Sequence, residues 1–142
     1  MALDTILVAL GQDDDHESLL DTALETAGPS DATVVLGVGH PEDDYEAALD
    51  DFEGDATPDE LAARSATIRS LTDRLADAGI EYEIRGGVGD TGETFVSIAD
   101  AVGADLLYIH GQARSPTGKA LFGDTAQSVL LNATCPVTFV RQ

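Results

Sequence analysis

The stretch Ile6-Leu7-Val8-Ala9-Leu10 is apolar at every position. An amphipathic helix or a half-buried strand would interrupt such a run with polar residues. An unbroken run of strand length fits a strand covered on both faces. A second run, Thr33-Val34-Val35-Leu36-Gly37-Val38, has the same character, and shorter ones follow at Leu106-Leu107-Tyr108-Ile109 and Val137-Thr138-Phe139-Val140. Ile80 to Arg85 alternates apolar with charged residues and predicts a less buried strand.

Helical patterns separate these runs. His16 to Ala27 places Leu19, Leu20, Ala23, Leu24 and Ala27 on one face, with Asp13, Asp14 and Asp15 before it and Gly28-Pro29 after it. Pro41 to Thr57 is acidic, broken by Pro and Gly, and predicts a partly helical excursion. Thr57-Pro58-Asp59-Glu60 is a helix start, with a capping Thr, Pro at the first position and Glu at the third. The stripe Leu61, Ile68, Leu71, Leu75, Ala78 predicts one helix running to about Ala78, stopped by Gly79. Thr91 to Val102 and Asp124 to Asn132 complete the set.

Strands alternating with amphipathic helices predict a five-stranded parallel sheet, doubly wound and Rossmann-like, with helices on both faces. Ligands of such sheets bind beyond the carboxyl ends of the strands, at the topological switch point. The 142 residues suit one domain, 1–142, whose core needs no disulfide or metal. No apolar run approaches the ~20 residues that span a bilayer, and Met1-Ala2-Leu3-Asp4 lacks the basic start of a signal peptide. A cytoplasmic protein is expected.

Acidic residues number 27 against 7 basic ones, a net charge of −20, and Lys119 is the only lysine. That surface repels nucleic acid and anionic membranes. It suits a high-salt environment, where a Debye length of about 3 Å at 1 M removes the self-repulsion. No calcium-binding loop of the EF-hand pattern is present.

The segment after the fourth strand, Gly111 through Thr125, combines three glycines, Ser and Thr hydroxyls, and two of the seven basic residues within six positions, Arg114 and Lys119. It leads into a helix whose first amides and dipole favour an anion, so it is a candidate phosphate site. Gly118-Lys119 is not a Walker A ending, because Ala120 stands where Ser or Thr is required. Asp124 at the helix start reads as an N-cap that would occupy those amides.

Other clusters have plainer readings. Asp13-Asp14-Asp15-His16 reads as a solvated helix start in preference to a Mg²⁺ site. A phospho-receiver is excluded, because Arg85-Gly86-Gly87 ends the third strand and only Arg141-Gln142 follows the last. His40 and His110 end strands two and four and read as strand-end residues, the alternative being a pair facing across the switch point. Cys135 reads as packing. Neither a nucleophile elbow nor zinc-ligand spacing is present, so no catalytic residue and no metal site are assigned.

The opening strand, the Val88-Gly89-Asp90 turn, Gly111 through Thr125 and the ending Cys135-Pro136-Val137-Thr138-Phe139-Val140 together resemble the universal stress protein family over nearly the whole chain. Arg114 to Lys119 resembles the loop of halophilic members. The resemblance implies strand order 3-2-1-4-5, a homodimer, and, in many members, ATP bound through a G-x2-G-x9-G-[ST] loop. Here that pattern has His110 and Ala113 in place of its first two glycines, Asp124 after Gly123, and Gly11 where many members carry an adenosine-contacting Asp.

The expected ligand is an adenine nucleotide, with Mg²⁺ if it is ATP, or another phosphate-bearing molecule. Its anion would lie against Gly111, Arg114, Ser115, Thr117, Gly118, Lys119, Gly123 and Thr125, and its base and ribose near Ala9, Gly11, Val38 and Val88. The last strand, Val137, Thr138, Phe139 and Val140, would be a bare apolar edge that pairs with its copy. The expected role is a non-enzymatic stress-response module. The alternatives are a homodimeric interaction module without nucleotide and, more remotely, an ATP-hydrolysing protein.

Overall fold

A computed structural model of the chain describes residues 4–11, 15–27, 31–51, 56–114, 120–121 and 123–141. The elements run β1 (Thr5–Leu10), α1 (His16–Ala27), β2 (Thr33–His40), α2 (Glu42–Asp51), α3 (Pro58–Ala63), α4 (Ala66–Asp77), β3 (Tyr82–Val88), α5 (Thr91–Val102), β4 (Leu106–Arg114), β5 (Ala120–Leu121), α6 (Asp124–Asn132) and β6 (Val137–Arg141).

Five strands form a parallel sheet in the order β3-β2-β1-β4-β6, which is the predicted 3-2-1-4-5 arrangement. The short β5 pairs antiparallel with the far end of β4. Strand β1 lies at the centre and feeds two cores. Ile6, Val8 and Leu10 join Leu19, Leu20 and Ala23 of α1 and Ile68, Leu71 and Leu75 of α4 on one face. Leu7 and Ala9 join Phe95, Ile98 and Ala99 of α5 and Val129 of α6 on the other. Each such Leu, Ile, Val or Phe side chain contributes about 1.5–3 kcal/mol when taken out of water. The unbroken apolar run is therefore required by burial on both faces.

Helix α5 sits unusually close to the sheet. A Cβ on Gly39 would come within 3.0 Å of Thr91 Cγ2, and one on Gly87 within 2.5 Å of Thr94 Cγ2. Next to it, a Cβ on Gly92 would lie 2.6 Å from Ser128 Cβ and 3.1 Å from the Thr125 carbonyl oxygen of α6. The glycines set how near the two helices approach.

Four expectations change. The single helix from Thr57 to Ala78 is two helices, because Arg64 closes α3 and Ser65 takes extended backbone (φ −65°, ψ 133°) to start α4. Ala78 is consequently an exposed C-cap, outside the apolar stripe. The third strand begins two residues later and runs on to Val88, because it pairs with β2 as far as His40. The fourth strand continues to Arg114, held by β6 and β5. The acidic excursion contains α2, whose Tyr45 hydroxyl donates to the Ala56 carbonyl. Gly28, Pro29, Asp13 and Asp14 lie outside the described residues. Among the described residues, no helix is long and apolar enough to cross a membrane.

Candidate ligand site at the switch point

The strand order reverses between β1 and β4, so the crevice lies beyond Leu10 and the far end of β4. On the β1 side the chain turns into α1. The Asp15 carboxylate accepts the Ser18 N–H (3.1 Å) and so caps α1. The His16 ring donates from Nε2 to the Gly11 carbonyl oxygen (2.5 Å), which folds the turn back on β1.

His110 fills the corner between β1 and β6. It is buried, with Nδ1 3.1 Å from the Val140 carbonyl oxygen and Nε2 2.9 Å from that of Asp15. Carbonyl oxygens only accept, so a neutral ring donates to one of them and a doubly protonated ring to both. His40 is occupied elsewhere: Nε2 donates to the Pro58 carbonyl oxygen (3.1 Å) and its ring centroid lies 6.0 Å from that of Tyr45. His40 ends β2 as expected, whereas His110 lies within the longer β4, and the two serve separate corners and form no facing pair.

The region after Ile109 departs from an open glycine loop. Gly111 lies inside β4, at the register shift between His110 and Gln112. A Cβ there would run into the Phe139 ring, so Gly111 makes room for β6 and stands in a strand, not in an open loop. Ala113 and Arg114 then pair with Leu121 and Ala120 as a short antiparallel ribbon. Ser115, Thr117, Gly118 and Lys119 lie outside the described residues, as does the Arg114 side chain.

The ribbon leads to α6, and here a second expectation is corrected. The N-cap is Gly123 (φ −67°, ψ 168°), with no side-chain hydrogen bond, and Asp124 is the first helical residue. The carboxylate is exposed and complements the helix dipole instead of capping. The first-turn amides, which no intrahelical acceptor serves, are thus not consumed by Asp124. Thr125 is half-buried in that turn.

Of the expected base-side residues, Ala9, Gly11 and Val38 come together at the ends of the adjacent strands β1 and β2. Ala9 is fully buried in the α5 core, backbone included, so it lies beneath the crevice and not on its surface. Val88 stands one strand further out, on β3 opposite His40 of β2. It lines a cleft of about 440 Å³ with Arg85, Gly87, Asp90, Glu93 and Ser97.

The remaining groups are structural. Cys135 packs against the α5–α6 core, and burial, with Asp100 and Asp105 adding repulsion, pushes its thiol up. Arg74 of α4 bridges Glu17 and Asp21 of α1, and the hydrogen bond to Asp21 leads in raising its guanidinium further. Among the described residues, no three His, Cys, Asp or Glu side chains gather to hold a metal. The contacts of His16 and of Asp59, which accepts the Gly86 N–H (2.5 Å), were not legible in the sequence. Asp59 and Gly86 stand 27 positions apart with no periodicity that would pair them.

Comparison with known proteins places this geometry in context. The model of the universal stress protein family matches residues 2–141. A universal stress protein of Mycolicibacterium smegmatis is 39% identical over 89 residues, 62% of this chain and 68% of that one. The universal stress protein UspA from Lactobacillus plantarum has a TM-score of 0.73 at 20% identity, covering 99% of each chain. That from Archaeoglobus fulgidus in complex with dAMP has a TM-score of 0.67 at 22% identity, covering 99% of this chain and 100% of that one.

Proposed function

Because the chain belongs to the universal stress protein family, we propose that it is a cytoplasmic stress-response module that binds an adenine nucleotide at the switch point and pairs with a second copy through β6. The observation that carries this reading is the start of α6: Gly123 caps the helix without a side chain, so no side-chain cap occupies its first-turn amides. The dAMP held by the Archaeoglobus relative supports the ligand class. The anion lies against Gly123, the Thr125 turn and the segment bearing Arg114, Ser115, Thr117, Gly118 and Lys119. The base lies towards Gly11 and Val38.

Asp124 opposes an anion, and magnitudes decide the balance. Exposed charges about 6 Å apart in water interact by under about 1 kcal/mol, and molar salt screens that further. A hydrogen bond to a charged group contributes about 1.5–3 kcal/mol, so two or three amide or cation contacts outweigh the repulsion. No general base is assigned, and the role is binding without turnover.

Calorimetric titration of AMP and of Mg-ATP in molar KCl tests this reading. Binding should weaken about tenfold or more in Lys119→Ala, the loss of one charge-assisted contact. A folded wild type that gives no heat with either nucleotide refutes it, and a protein-binding module without nucleotide then becomes the reading.

A further inference from the structure

The sheet has two edges, and the chain treats them differently. At β6 the outer residues Val137, Thr138, Phe139 and Val140 are all half-buried, and among the described residues only β4 pairs with that strand. At β3 the outer side is occupied. Helix α3 packs on the strand, and the half-buried Asp59 accepts the Gly86 N–H with its carboxylate. The start of α3 also closes over the adjoining sheet face, where a Cβ on Gly86 would run into the Pro58 carbonyl, so α3 is seated by both contacts. Three further contacts fix α3 in place. His40 donates to the Pro58 carbonyl oxygen, Thr57 Oγ1 accepts the Glu60 N–H (3.1 Å), and Tyr45 holds the Ala56 carbonyl. Glu83 and Arg85, 3.4 Å apart, add exposed charge to the same edge.

An edge strand is a template for another strand unless something blocks it. Tyr82 and Val88, 40% and 37% exposed, would make β3 an adhesive one. We infer that α3, through Asp59 and the glycine at 86, is an edge guard that denies β3 to a second copy of this chain. Self-association is then confined to β6. One available edge gives a closed pair, whereas two give open-ended growth. This inference rests on the β6 pairing proposed above, and the experiment separates the two.

Mass is measured by light scattering in molar KCl over a range of concentrations, with circular dichroism as the check on folding. The parent should have the mass of two chains and Thr138→Lys that of one. Asp59→Ala and Gly86→Val should stay folded but gain mass with concentration, to about twice the parent or more, as pairs join through freed β3 edges. Gly86→Val combined with Thr138→Lys should return to two chains, now joined through β3. Parental mass in folded Asp59→Ala and Gly86→Val overturns the guard. If Gly86→Val does not fold, the Asp59→Ala mass alone decides. A Thr138→Lys protein that remains paired refutes the β6 interface and leaves the guard to be judged on the two β3-side variants.

Discussion

Gly111 shows how one residue type can mislead. A glycine ahead of Ser, Thr, Gly and Lys reads as a phosphate loop, yet its missing side chain is what admits the Phe139 ring beside β4. The sequence cannot separate these uses, because both need backbone without a Cβ and only tertiary contact distinguishes them. Gly111→Ala should destabilise the fold by about 1–3 kcal/mol through overpacking, measured as a lower urea midpoint with unchanged slope. Adding Phe139→Leu should recover part of the loss, because the two positions share one space. If Gly111→Ala alone is neutral, the ring is not what the glycine serves. Asp124 is the converse case. Its preference for helix starts was legible, but whether it caps or follows the cap depends on a single residue of register, and Gly123 holds that place.

Elements were legible where periodicity was strong. Helices α1, α5 and α6 and the central strands lie where apolar spacing puts them, because burial on both faces fixes their composition. Extensions were not legible. His110-Gly111-Gln112-Ala113 has no strand pattern, and it is extended because β6 and β5 offer backbone partners distant in sequence. The break at Arg64-Ser65 was missed because Leu61 and Ile68 stand seven apart, a spacing that a continuous helix satisfies equally well. The start of α3 was read correctly. Thr57 Oγ1 accepts the Glu60 N–H, and Pro58 occupies the first turn. Thr57→Ala should therefore cost about 1 kcal/mol in chemical unfolding. A cost near zero would mean that the His40 and Tyr45 contacts hold α3 without its cap.

For the whole molecule, the net charge of −20 outweighs any single pair. The ion pairs of Arg74 and Arg85 are exposed, and such pairs contribute about 0–1 kcal/mol each. They cannot offset mutual repulsion among 27 carboxylates in dilute buffer. The thermal midpoint should rise substantially from dilute buffer to molar KCl, with most of the gain as the Debye length falls from about 10 Å to about 3 Å. An unchanged midpoint would remove the case for a high-salt setting. Fold class and strand order were legible at this scale because they follow from alternation and from family resemblance. The roles of the two sheet edges were not, because each depends on what the rest of the chain lays against it.

The close seating of α5 bears on how this protein can vary. Gly92 lies in the first turn of α5, and its missing Cβ is what lets the Thr125 carbonyl and Ser128 of α6 come so near. Thr125 belongs to the first turn of α6, whose amides have no intrahelical acceptor, and Ser128 to the turn after it. A methyl group added at position 92 would push the start of α6 by a few tenths of an ångström or more. The placing of the α6 start is thus set by a seam between two helices, and for the nucleotide proposed above a change at that seam would alter recognition from outside the crevice.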